Sequence, residues 1–278
     1  HAYHCCGVNY RVVPENYSAT ITLRSSIEGD VINDNVSRYR DLNQVHLNIL
    51  STEGHPGLDE AGPQPGNSIL LQCETSHSKV GVTMFAKHAT WRGGEELHLD
   101  AKMDIGPKCV SAEWTLDVAQ GQAIVVEKVV SVFTSYDEEF KDAEDREDRD
   151  KCLKRLAMEE LEDVTYFSQL LDPHRRVWLD IWDKSDILVD GDRFVQTMIR
   201  AHTYHLLITA SHHREKVDAG LPARGLSGEG YRGHVFWDEV YMFPFYLSKF
   251  PEVAKSHLQY RIRRLDSARK YAAANGYR

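Results

Sequence analysis

The sequence predicts two structural classes in succession, an antiparallel β-sandwich followed by a set of helices. Period-two alternation of apolar and polar residues runs from Tyr10 to Tyr136, a mixed-charge stretch follows at residues 137–151, and the apolar period then becomes helical. With 278 residues the chain is long enough for more than one core. We therefore expect a partial sandwich at residues 1–136, an acidic and helical linker at 137–190 and an all-α domain at 191–278.

Alternation identifies the individual strands. The clearest runs have an apolar residue at every second position, and they cover residues 19–24, 45–49 and 112–118. Clusters of Gly, Pro, Asn and Asp separate them, as turns require. Residues 124–133 are apolar on both faces, which predicts a central strand of the sheet.

Helical spacing begins after the charged stretch. A first helix is predicted to end at Asp172-Pro173, and a second carries Trp178 and Trp182 one turn apart. A third is predicted to start after an Asp192 cap. The last covers residues 252–275, ends at Gly276, and is expected to turn three apolar side chains inward. These are Leu258, Ile262 and Leu265.

Charge and composition exclude several functions. The formal net charge is −9, and the densest basic stretch, Arg261 to Arg264, is predicted to be a solvated helix face. Nucleic-acid binding is therefore not expected. No run of about 18 apolar residues occurs, so no membrane span is expected, and the first residues do not resemble a signal peptide. Five scattered cysteines without a C-x-x-C pair indicate reduced thiols and a cytoplasmic protein.

Metal-binding and hydrolase motifs are weak. One zinc ion could be approached by His1, His4, Cys5 and Cys6, but adjacent cysteines seldom bind the same ion. The His212-His213 pair has no nearby third ligand. No metal and no organic cofactor are expected. A nucleophile elbow is absent from the sequence, so serine hydrolase chemistry is not predicted.

One segment, residues 220–239, combines glycine, aromatic and charged residues in a long loop between helices. Gly228 to Gly233 matches G-x-G-x-x-G by spacing, but no buried strand precedes it, which argues against a dinucleotide site. Trp237 beside Asp238 would offer a sugar an apolar platform and a hydrogen-bond acceptor, and Arg232 and His234 could donate further bonds. From the residues alone, a core role for Trp237 is equally well supported.

The run from Leu221 to Glu239, LPARGLSGEGYRGHVFWDE, closely resembles the signature of glycoside hydrolase family 65, the maltose, trehalose and kojibiose phosphorylases and acid trehalases. Weaker resemblance extends over nearly the whole chain and includes residues 17–31, residues 186–192, Gln196 and residues 204–207. It implies a β-sandwich, a helical linker and the first helices of an (α/α)6 barrel. It also implies that Trp237 and Asp238 hold the non-reducing glucose, with Arg232, His234 and Glu239 around them.

The resemblance implies an inverting enzyme that cleaves an α-linked glucose disaccharide by phosphorolysis or hydrolysis, with inorganic phosphate as co-substrate in the first case. It is also consistent with a homodimer. The general acid is expected beyond Arg278, so the isolated chain is expected to be inactive. Glu239 directly follows Asp238, whereas the best-known members have a Thr between them, which leaves the role of Glu239 and the substrate open. Two alternatives stand: a non-catalytic carbohydrate-binding or assembly module, and a glucoamylase-like (α/α)6 hydrolase.

Overall fold

A computed structural model of the chain describes residues 3–33, 37, 41–56, 67–137, 140, 145–211, 219–225, 231 and 234–277. They group into two compact units. The sandwich unit comprises His1–Ile32 and Asn43–Val177, and the helical unit comprises Asn33–Leu42 and Trp178–Arg278. The domain boundaries expected at residues 136 and 190 stay a prediction.

Nine strands form the sandwich unit within the described residues. They are β1 (Cys5–Val12), β2 (Ala19–Glu28), β3 (Leu47–His55), β4 (Ser68–Thr75), β5 (Gly81–Arg92), β6 (Glu95–Leu97), β7 (Lys102–Ile105), β8 (Cys109–Val118) and β9 (Ile124–Thr134). All pair antiparallel. The larger sheet has the order β1-β9-β5-β4-β3 with β6 beside β5, and the smaller has the order β2-β8-β7. The predicted antiparallel sheets are confirmed, and β9 is a central strand as expected.

The larger sheet is covered on both faces. One face packs against the smaller sheet around Trp114, Ile69 and Val110. The opposite face packs against helix α1 (Arg146–Glu159), whose Leu153 and Ala157 are fully buried. Strands buried on both faces lose much of the polar half of their alternation, which explains why β9 carries apolar residues on both faces.

Five helices are described: α1, α2 (Phe167–Ser185), α3 (Arg193–Thr209), α4 (Glu239–Lys249) and α5 (Pro251–Ala274). Asp192 caps α3 as predicted, and its carboxylate accepts from the Phe194 amide at 2.7 Å. Gly276 follows α5 with a φ of +76°, the left-handed conformation that glycine adopts without a Cβ clash. These two helix ends were predicted correctly from single residues.

Two helix predictions are wrong. Pro173 lies inside α2 rather than ending a helix, and it stands only in the second turn, where the chain loses one backbone hydrogen bond. The three apolar residues expected to face inward from α5 are between 44% and 68% exposed. The buried face of α5 is instead near its start, at Val253, Ala254, Ser256 and His257.

His88 of β5 is buried between the two sheets, and each of its ring nitrogens makes a hydrogen bond. Its Nδ1 donates to the Asn67 carbonyl at 2.8 Å, and its Nε2 accepts from the Ser25 hydroxyl at 2.9 Å. Burial lowers the pKa of His88 to about 4. The ring is therefore neutral in the folded protein at pH 7, and both nitrogens are used as the neutral tautomer requires.

This depressed pKa predicts acid sensitivity of the sandwich unit. As pH falls from about 6.5 to 4, the unfolded chain binds a proton at His88 that the folded chain does not, so the free energy of unfolding falls by up to about 3 kcal/mol. Denaturant unfolding at several pH values should show a shallower pH slope in His88→Gln than in the parent. The matched variant at the exposed His98, His98→Gln, should keep the parent slope. Equal slopes in all three proteins would contradict the assignment.

Candidate functional site

The two ends of the motif segment lie against each other in the helical unit. A Cβ at Gly220 would be 2.7 Å from Val235 Cγ2 and 2.8 Å from Cε1 of Tyr260 on α5. Only glycine permits this approach, because any side chain would push the two ends of the segment apart. This contact fixes the position of the chain just before α4 begins.

The N-terminal end of the motif segment packs against α3. Gly225 has a φ of +59°, and a Cβ there would be 2.5 Å from Thr209 Oγ1. The Thr209 hydroxyl donates to the His205 carbonyl at 2.6 Å. A cavity of about 340 Å³ lies beside this contact. Its polar lining includes His202, His205, Thr209 and Arg224.

Trp237 and Asp238 stand at the start of α4. The indole of Trp237 is 66% exposed, and its ring centroid lies 5.4 Å from that of Tyr241 in an edge-on arrangement. This exposure argues against a core role, which the sequence alone left equally supported. The half-buried Asp238 carboxylate makes no hydrogen bond or ion pair with any described residue. An open aromatic face therefore adjoins a carboxylate that is free to accept hydrogen bonds.

His234 is exposed and is held by the turn before α4. Its Nδ1 donates to the Tyr231 carbonyl at 2.8 Å. Tyr231 has a φ of +59°, and its ring packs edge-on against Phe236 with centroids 5.3 Å apart. In the neutral ring Nε2 is then an acceptor, so His234 would accept from a ligand hydroxyl rather than donate to it. Arg232 lies outside the described residues.

Glu239 occupies a different environment from its two neighbours. Its side chain is 7% exposed, and Oε1 accepts from Nε of Arg261 on α5 at 2.6 Å. Arg261 Nη2 also donates to the Phe236 carbonyl at 3.0 Å. One guanidinium therefore joins α5 to the residues on either side of the Trp237-Asp238 pair. Arg261 therefore helps to hold in position the start of α4, where Trp237 and Asp238 lie.

The sequence did not indicate the Arg261 contact with Glu239 or the polar lining of the cavity at Thr209 and Gly225. The sequence predicts a solvated helix face at Arg261, because the partner of this residue is 22 positions away and no local pattern shows the contact. His202 and His205 are one turn apart on α3, and this i, i+3 spacing of two imidazoles was the available signal. Nothing in the local sequence indicated that Arg224 would reach the same cavity.

Metal binding has no structural support in the described part of the chain, where no cluster of three or more His, Cys, Asp or Glu side chains is arranged around a common point. His1 and the His212-His213 pair lie outside that part. Among the helices that the structure describes, none combines the length and the apolar character needed to cross a bilayer.

Fold and site together define a β-sandwich joined to a helical domain that presents an aromatic and acidic pair. The profile of the glycosyl hydrolase family 65 N-terminal domain matches residues 1–181. The profile of the family 65 central catalytic domain matches residues 200–278. The chain belongs to glycosyl hydrolase family 65.

Individual relatives agree with this assignment. A kojibiose phosphorylase of Halothermothrix orenii is 28% identical over 276 residues, which is 99% of this chain and 33% of the relative. A kojibiose hydrolase of Flavobacterium johnsoniae is 49% identical over 111 residues, 40% of this chain and 16% of the relative. The chain spans between 19% and 33% of the length of the curated relatives at the top of the comparison.

A solved structure has the same fold. It is a protein from the human microbiome that is provisionally assigned as a kojibiose phosphorylase. The TM-score is 0.71 at 19% identity, over 94% of this chain and 30% of the other. At this identity the likeness shows the fold and leaves substrate and mechanism to be tested separately.

Proposed function

We propose that this chain supplies the sandwich and the first barrel helices of an enzyme that cleaves an α-linked glucose disaccharide. The observation that carries the proposal is the exposed Trp237 indole beside the Asp238 carboxylate, which has no partner among the residues that the structure describes. A pyranose has an apolar C–H face that stacks on an indole and a rim of hydroxyls that donate to a carboxylate. The pair offers both surfaces on adjacent residues.

In this proposal, Trp237 and Asp238 bind the non-reducing glucose and orient its anomeric carbon. An inverting mechanism needs a carboxylic acid that protonates the leaving oxygen while the nucleophile attacks the opposite face. We assign no described residue to that acid, because Asp238 is used for binding and Glu239 is paired with Arg261. His234 is proposed to accept from a further hydroxyl, and Arg232 to donate to one.

We propose kojibiose as the leading candidate substrate, because both a phosphorylase and a hydrolase of kojibiose are among the relatives. Phosphorolysis is supported by relatives that match nearly the whole chain. Hydrolysis is the second candidate, favoured by the 49% identity to the kojibiose hydrolase over 111 residues. The two reactions differ in what the nucleophile requires, since phosphate is already anionic and water needs a general base.

A product assay on the full-length gene product separates these candidates. Kojibiose, trehalose, nigerose and maltose are each supplied with and without inorganic phosphate. Phosphate-dependent release of β-glucose 1-phosphate indicates phosphorolysis, whereas free glucose at a rate that phosphate does not change indicates hydrolysis. Absence of turnover on all four disaccharides in both conditions would contradict the proposed function.

A further inference from the structure

An open cavity of about 800 Å³ lies in the sandwich unit, and none of its lining residues belongs to the motif segment. It is lined by β1, β5 and β9, by the turns at residues 93–94 and 121–123, and by the start of α2. Small-molecule sites usually occupy about 300–1,000 Å³, so the volume suits a ligand larger than a single sugar unit. At the rim, Gly94 and Gly121 both have positive φ, and a Cβ at either would meet no atom within 4 Å. The rim is therefore open.

Two aromatic rings line this cavity. The rings of Trp91 on β5 and Tyr166 before α2 have centroids 5.4 Å apart and planes inclined at 59°. The Tyr166 hydroxyl donates to Glu96 Oε2 at 2.9 Å, which fixes the ring. Trp91 Nε1 is buried and has no hydrogen-bond partner among the described residues. A buried indole N–H without a partner is uncommon, because it loses its bond to water.

The remaining polar lining is divided into fixed and free groups. The buried Glu127 accepts from Asn9 Nδ2 at 2.9 Å and from the Phe167 amide at 3.2 Å, so each carboxylate oxygen has one donor and the Asn9 amide is held in place. The side chains of Arg11, Gln122 and Ser168 make no hydrogen bond with the described residues. The cavity therefore combines two aromatic faces with several uncommitted donors and acceptors.

We propose that this cavity binds a neutral oligosaccharide, as a second carbohydrate site of the protein. Sugar rings present alternating C–H faces and hydroxyls, which match aromatic rings interleaved with amide, hydroxyl and guanidinium groups. The lining has one guanidinium, Arg11, and one carboxylate, Glu127, so it offers no excess positive charge for a polyanion. A purely apolar ligand would leave the free polar groups buried without partners.

Calorimetric titration of the full-length gene product with maltopentaose and cellopentaose tests the site. The Asp238→Ala variant is used throughout, because it weakens sugar binding at the motif and leaves the sandwich unit unchanged. We expect binding of at least one pentasaccharide at ligand concentrations of about 10 mM, ten times the roughly 1 mM Kd of a weak open site. No binding of either pentasaccharide would overturn the proposal.

Two variants locate the bound sugar. Ser168→Trp fills the cavity from an exposed position, and Arg11→Ala removes a free donor from an exposed strand residue. Arg11→Ala should weaken binding by about tenfold or more, the loss expected when a hydrogen bond to a charged donor is removed. Ser168→Trp should weaken binding by about tenfold or more because the indole occupies the space of the ligand. Arg176→Ala, at an exposed α2 position outside the cavity lining, is the matched control and should bind as tightly as the Asp238→Ala parent.

The outcomes distinguish this site from the proposed disaccharide-cleaving site. Binding that persists in Asp238→Ala and is lost in Ser168→Trp supports the sandwich site, whatever the disaccharide assay shows. Binding that both cavity variants leave unchanged would overturn it, even if the enzyme cleaves kojibiose. Near-ultraviolet circular dichroism checks that each variant is folded, and Arg11→Ala provides the test if Ser168→Trp is not.

Discussion

Replacing Asp238 with Asn should lower kcat/KM for the accepted disaccharide by about a hundredfold to a thousandfold. A hydrogen bond to a charged group contributes about 1.5–3 kcal/mol, and each 1.4 kcal/mol changes a rate or equilibrium constant by about tenfold. A carboxylate that accepts from two glucose hydroxyls would therefore account for a loss of this size. Steady-state kinetics of the full-length gene product give the ratio directly. Trp237→Ala should raise KM as well, through loss of the stacking surface.

Stability should be unchanged in Asp238→Asn, because the carboxylate has no hydrogen-bond partner among the described residues. This expectation separates a binding role from a structural one. Asp180→Asn, an exposed position on α2 in the same unit, is the matched control and should keep parental kinetics. Activity of Asp238→Asn within about twofold of the parent would remove this residue from the site, since a hydrogen bond contributes more than that.

The strands were predictable because alternation is imposed by burial on one face. The Ala19 to Leu23 run and the Ala112 to Val118 run both fall in the smaller sheet, where one face packs against the core and the other is open. The order of the strands in the sheets could not be predicted from the sequence alone. β1 pairs with β9 across more than a hundred residues, and no local pattern encodes that contact.

The site was predictable where its chemistry is contiguous. Trp237 and Asp238 are neighbours in the chain, so their joint surface could be inferred from residue types. The Glu239 to Arg261 pair joins two helices, and the Trp91 and Tyr166 rings join a strand to the segment before α2, so each depends on tertiary folding. His88 resembles any polar residue of a strand, and only its position between the sheets shows that it is neutral and buried.

Replacing Arg261 with Met should destabilise the helical unit by roughly 2–4 kcal/mol, because it leaves the Glu239 carboxylate buried without its partner. The substitution also removes the bond to the Phe236 carbonyl next to Trp237. Hydrogen exchange of the α4 amides and denaturant unfolding measure the loss. Arg269→Met, which breaks only an exposed 3.5 Å ion pair with Asp266, should change stability by less than about 0.5 kcal/mol.

The double variant Glu239→Met with Arg261→Met determines what Glu239 does. Removing both partners leaves no buried charge, so we expect much of the lost stability to return. Both Arg261→Met and the double variant lack the bond to the Phe236 carbonyl, so the KM of Arg261→Met is the reference. If Glu239 has only a structural role, the KM of the double variant should equal or fall below that of Arg261→Met while stability returns. If Glu239 contacts the sugar, stability should return while the KM of the double variant rises above that of Arg261→Met. Either result is informative because the two readouts respond to different contacts of the same carboxylate.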